Sequence, residues 1–170
     1  MIALQHILVP TDFSEASEAA AKYGVALARA FNARLHMLHV EERHDLEMIV
    51  ERELVVRKYL SETTAAKSPQ NVARELLAKT LTEQEENELR AEYVLRASGR
   101  RGPYVEIVRY AKERNIDLIV MGRHGRHRGF VAHLLMGSVA ENVVRNAPCP
   151  VLTVRHPEHE FVIPEDPAGL

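Results

Sequence analysis

Cysteine, net charge and long apolar runs are all scarce in this 170-residue chain, which has one cysteine and a formal net charge of −2. A lone thiol cannot close an internal disulfide, so a disulfide-stapled scaffold is excluded and a reducing compartment fits. Near-neutral charge argues against a general nucleic-acid coat or a membrane-surface protein, because both carry a large basic excess on one face. No nucleic acid and no membrane are therefore expected as partners. No apolar run approaches the roughly 20 residues that a spanning helix needs. The segment MIALQHILVPTDFS also lacks the basic flank, apolar core and small-residue cleavage site of a signal peptide, so a cytoplasmic location is the default expectation.

What is present is enough apolar material, 46% of residues, for one good core. The pattern along the chain alternates strand and helix. His6 to Val9 reads as a first strand, ended by Pro10, with Thr11, Asp12 and Ser14 as turn and cap residues. Glu15 to Phe31 repeats small and apolar residues at helical spacing, and Asn32 is a natural stop. Leu35 to Val40 is a second strand, Glu92 to Ala97 a third, Leu118 to Gly122 a fourth and Val151 to Val154 a fifth. Helices are expected at Tyr104 to Arg114, stopped by Asn115, and at Ser138 to Asn146. Residues 41–90 hold more helix than one crossover requires, with a break at Ser68-Pro69 and an acidic TEQEENE run that reads as a solvated face or helix end. Five strands alternating with helices predict an α/β fold with a doubly wound parallel sheet and a long helical insert after strand 2. Residues 1–156 are expected to form one domain and 157–170 a tail without a packed core.

The most informative stretch runs from Asp117 to Val144. A buried strand ends at Gly122, a loop rich in glycine and arginine follows, and Ser138 with Glu141 gives the SxxE capping-box pattern at a helix start. Helix N-termini attract anions, and Arg123, Arg126 and Arg128 add positive charge, so strand, glycine loop and helix start together suit phosphate. In doubly wound sheets the ligand crevice opens at the carboxyl ends of the strands where strand order reverses. With strands 1 and 4 as central neighbours, Pro10, Thr11 and Asp12 would face the Gly122 loop across that crevice, with Val40 beside them. Plain alternatives stand next to each of these readings. Gly122 and Gly125 also serve as turn formers, Ser138 as a helix cap, Asp12 as a cap for the first helix, and the loop arginines as solvated surface.

Histidine is abundant, with nine in the chain. His36 and His39 lie an odd number of positions apart on a strand, so they point to opposite faces and cannot share a metal. His124, His127 and His133 lack the spacing or cysteine partners of a zinc site, and no metal site is expected. Cys149 lies between two prolines without an identifiable base and is assigned no chemistry.

Taken in order, HILVPTDFS, LHMLHVEE, IDLIVMGRHG and MGSVAENVVRNAPCPVLTVR resemble the universal stress protein family over roughly Gln5 to Arg155. The resemblance implies a Rossmann-like five-stranded sheet of order 3-2-1-4-5. It also implies a regulatory protein of stress response that, in nucleotide-binding members, holds ATP through GxxG, nine residues, then G[ST]. Carried over by position, Asp12 would contact ribose, Val40 the adenine, and Gly122, Gly125, Gly137 and Ser138 the phosphates. Met121, Arg123 and His124 would line the same pocket, with Pro10, Thr11, Arg126 and Val139 as immediate neighbours. Here eleven residues, 126–136, separate Gly125 from Gly137, two more than the family pattern. Such an insertion either bulges outward, since loops tolerate added length cheaply, or moves the helix start away from the phosphates.

The expected ligand is ATP, ADP or AMP. Because the loop lacks the GK[ST] of a P-loop, fast turnover is not predicted, and slow hydrolysis would need Mg²⁺ bridging the phosphates. Two other classes compete: a protein-docking module working through the helical insert, and an adenylating enzyme, which would need an SGGxDS-like loop where PTDFS stands. The apolar edge strand, with the family's habit of pairing through it, further implies a homodimer through Val151 to Arg155.

Overall fold

The computed structural model describes residues 2–41, 75–123 and 137–155. The strands are β1 (His6–Thr11), β2 (Arg34–Glu41), β3 (Glu92–Ala97), β4 (Leu118–Gly122) and β5 (Val151–Val154). The helices are α1 (Glu15–Phe31), α2 (Glu83–Glu88), α3 (Pro103–Glu113) and α4 (Ser138–Asn146). All five strands are parallel in the order β3-β2-β1-β4-β5. The expected doubly wound, Rossmann-like architecture is thus present, with the reversal of strand order between β1 and β4. Of the predicted insert, residues 42–74 with the Ser68-Pro69 break lie outside the described residues, as does the tail from 156 onward. Within it, residues 75–78 are helical, and the acidic run forms α2 with Thr82 and Glu85 in a reciprocal capping box and no buried residue.

Both faces of the sheet are covered, which is why its strands read as continuous apolar runs. Alternation along β1 sends Ile7 and Val9 toward the α1 side and Leu8 toward the other. On the first side Leu35, Met37, Leu77, Leu89 and the small residues of α1 pack together. Opposite them, Leu38, Ile107, Tyr110, Ile119, Ala140 and Val143 pack under α3 and α4. The small-residue stripe lets α1 sit so low on the sheet that a Cβ on Gly24 would come within 2.4 Å of Val9 Cγ2.

Caps mark the helix limits. Ser14 accepts the Ser17 amide at the start of α1, and Asn32 ends it in the left-handed conformation (φ 51°). Asn115, also at positive φ, terminates the turn after α3. β1 does not end before Pro10, as the proline suggested, but continues to Thr11. The β1–β4 ladder is registered at Ile7 and Leu8, whereas the β1–β2 ladder runs on through Pro10 and Thr11. At Pro10 the strand therefore has a ladder neighbour on one side, and a residue without an N–H is accommodated as on an edge.

Candidate functional site

The carboxyl ends of β1, β2 and β4 converge at the reversal of strand order. Continuing the β1–β4 register forward sets Pro10 level with Met121 and Thr11 level with Gly122. Val40 and Met121 are both buried in the cluster under α3 and α4, and Val139 packs on the same cluster. Val40 and Met121 lie at the carboxyl ends of β2 and β4 and Val139 in the first turn of α4, all in the apolar cluster on that side of the sheet. Gly122 is pressed against α1: a Cβ there would stand 2.9 Å from the backbone carbon of Ala16 and 3.0 Å from its carbonyl oxygen. The glycine is thus required for packing of the helix, whatever else it does.

The loop predicted to surround phosphate begins and ends at neighbouring points. Gly137 N–H donates to the Arg123 carbonyl at 2.9 Å, and Arg123 N–H donates to the Val154 carbonyl at 2.8 Å. The two extra residues therefore leave the strand end and the helix start together. His124, Gly125 and Arg126 lie outside the described residues. Ser138 is exposed, and its role at the helix start differs from the sequence reading. The N-cap is Gly137, in extended conformation (φ −69°, ψ 150°), and Ser138 is the first helical residue. Glu141 does not reach back to form the expected capping box. It donates its amide to the Gly137 carbonyl while its carboxylate pairs with Arg145 one turn on, at 2.8 Å. Since Gly137 has no side chain to offer, no side-chain cap among the described residues satisfies the first-turn amides of α4, which have no partner within the helix.

Asp12 sits in the turn between β1 and α1. Its Oδ1 accepts the Ser14 amide (3.1 Å) and the Ser14 hydroxyl (2.6 Å), so Ser14 is the helix cap and Asp12 braces it. Sequence reasoning missed Ser17 and His39. Ser17 Oγ donates to the Ser14 carbonyl (2.8 Å) and lies 3.0 Å from Thr11 Oγ1. His39 Nδ1 lies 2.8 Å from the Thr11 carbonyl. Neither contact follows from local spacing. The signal for His39 would have been its position opposite Thr11 in a parallel pair, which requires the register.

As the odd spacing implied, the two strand histidines part company. His39 stacks on Phe13 near α1, whereas His36 turns to the other face, 2.9 Å from the Tyr110 hydroxyl and 3.1 Å from His6. His36 lies with Glu92 away from the crevice, and burial drives its pKa from 6.5 down to about 4. Burial and the charge of Asp117 raise the Cys149 pKa, which keeps the thiol protonated and unreactive.

A model of the universal stress protein family matches residues 3–155 of this chain. The chain belongs to the universal stress protein family. Universal stress protein MJ0531 of Methanocaldococcus jannaschii is 33% identical over 158 residues, covering 91% of this chain and 84% of that protein. The structure of UspA from Lactobacillus plantarum superposes with a TM-score of 0.61 at 26% identity, covering 91% of this chain and all of the other. A universal stress protein crystallised in complex with cAMP has a TM-score of 0.59 at 22% identity over 91% of this chain and 98% of that one, a likeness of fold. Family membership and fold therefore agree with the order of motifs along the chain.

Proposed function

We propose that this universal stress protein binds an adenine nucleotide, ATP foremost, at the carboxyl edge of β1, β2 and β4, and acts in stress response through that binding. The observation that carries the reading is the Gly137–Arg123 bridge. It holds the start of α4, which has no side-chain cap among the described residues, beside the end of β4, where helix amides and dipole favour an anion. In this reading Asp12 faces the ribose, Val40 and Met121 the adenine, and Gly122, Gly125, Gly137 and Ser138 the phosphates. Arg123, His124 and Arg126 line the loop, with Pro10, Thr11 and Val139 shaping the floor. The cAMP complex of a protein with the same fold indicates that the architecture accepts an adenine nucleotide. Without a P-loop lysine, any hydrolysis is slow and relies on Mg²⁺ at the phosphates. Isothermal titration is the test: ATP binds with a Kd below about 1 mM, and absence of heat at millimolar ATP, ADP and AMP overturns the proposal.

The proposed assembly is a homodimer through Val151 to Arg155. Among the described residues β5 is an edge of the sheet, and Leu152 on it is exposed, an apolar side chain that a second copy would cover. Light scattering at micromolar concentration should give twice the 19.2 kDa chain mass. A monomer mass would reject this interface.

A further inference from the structure

The turn that carries Asp12 is strained and polar, and its hydrogen bonds have a single consistent direction. Phe13 holds φ at 60°, a left-handed conformation that is unfavourable for a non-glycine residue. Its amide donates to Thr11 Oγ1 at 3.0 Å. Ser17 Oγ spends its one proton on the Ser14 carbonyl, so the Thr11 hydroxyl donates to Ser17 across 3.0 Å. Ser14 gives both its amide and its hydroxyl proton to Asp12 Oδ1. At the other end of this chain of donors stands His39 on β2, 2% exposed and directly opposite Thr11. A carbonyl oxygen only accepts, so at 2.8 Å from the Thr11 oxygen His39 Nδ1 must carry the proton. Its ring also packs on Phe13, with centroids 4.6 Å apart. One buried side chain thus grips the turn twice, on the residue before Asp12 and on the residue after it.

We infer that His39 is a positioning residue for the ribose side of the nucleotide site: it fixes the Thr11–Ser14 turn and through it the direction of the Asp12 carboxylate. The inference rests on the nucleotide-binding reading for its functional consequence, and on geometry alone for its effect on the turn. Removing the Nδ1 donor leaves the Thr11 carbonyl buried without that hydrogen bond and frees Phe13 to leave the left-handed region. Asp12 then loses its fixed direction, while Val40, whose side chain leaves the opposite face of β2, and Met121 and the start of α4, on other elements, stay in place.

Three variants separate positioning from general damage. Asparagine at 39 places an amide N–H near the site of Nδ1–H, glutamine places it one atom too far, and leucine has none. Wild type and His39→Asn should bind ATP about tenfold more tightly than 2′,3′-dideoxy-ATP, the worth of one charge-assisted hydrogen bond. In His39→Leu and His39→Gln that ratio should fall to near one, with the affinity for the dideoxy analogue unchanged. Hydrogen exchange at the Phe13 and Ser14 amides, measured without nucleotide, should accelerate about tenfold in the same two variants and not in His39→Asn. If wild type binds no nucleotide, the function proposed above falls and the exchange measurement still decides the role of His39. An unchanged ligand ratio or unchanged exchange in His39→Leu and His39→Gln, or an equal loss of affinity for both ligands, overturns the inference.

Discussion

Replacing Gly122 with alanine will destabilise the protein by roughly 2–3 kcal/mol, the upper part of the range for overpacking a well-packed site. The added methyl would meet the backbone carbon and oxygen of Ala16 at 2.9 and 3.0 Å, and the Ala16 Cβ at 3.0 Å. None of these is the yielding tip of a long side chain. Relief requires α1 to lift from β4, and α1 is anchored along its length by Ala20, Ala28 and the close approach of Gly24 to Val9. For a chain of this size, that loss lowers Tm by roughly 4–12 °C. Gly99→Ala is the control, since a Cβ there meets nothing within 4 Å and the residue is not at positive φ, and it should change stability by less than about 0.5 kcal/mol. Thermal melts of both variants without nucleotide decide the matter. A melt of Gly122→Ala indistinguishable from wild type would mean that the glycine serves ligand approach alone.

Acid will weaken the fold through His36. The ring is 1% exposed, and burial lowers its pKa from 6.5 to about 4 against the pull of Glu92, with His6, Arg114 and Arg34 reinforcing the shift. In the unfolded chain the same histidine takes its proton near pH 6.5. Between these values the unfolded state binds the extra proton, so the stability associated with neutral His36 is fully present above pH 6.5 and is lost as pH falls toward 4. The shift corresponds to about 3 kcal/mol over that window. Glu92, held below the usual carboxylate range because His36, Arg34 and Arg114 outweigh its burial, adds a loss of the same sign at still lower pH. Urea denaturation of wild type from pH 7.5 to 4.5 should show a falling midpoint, and His36→Gln should flatten the slope across pH 4.5–6.5. An equal slope in the variant would assign the acid sensitivity elsewhere.

How far the molecule could be read from its letters depended on whether a residue's role was local. The α1 limits were legible because Ser14 and Asn32 act on their own neighbours, and β4 and β5 because glycine and proline bracket short apolar runs. Pro10 misled because its tolerance in β1 depends on how far the β4 ladder extends, which no local pattern records. The Ser138–Glu141 spacing matched a capping box, yet the bond from Gly137 to Arg123 brings Gly137 into the cap position and leaves Glu141 to Arg145. Among the candidate site residues, the glycines and Asp12 stood out by spacing and turn chemistry. His39 and Ser17 did not, because each acts across a strand pair or a helix turn on Thr11 and Ser14. The burial of His36 and His39, unexpected for so polar a residue type, likewise follows from partners that only the assembled sheet supplies.

The central claim is that the start of α4 and the turn after β1 form two halves of one nucleotide site. Backbone amide shifts in ¹⁵N-labelled protein, recorded during titration with ATP and separately with adenosine, test both halves at once. ATP should move Asp12, Val40, Gly122, Gly137 and Ser138 together, and adenosine should move Asp12 and Val40 while leaving Gly137 and Ser138 in place. Saturating ATP that shifts none of these amides, or shifts only residues remote from the carboxyl edge of the sheet, would contradict the account.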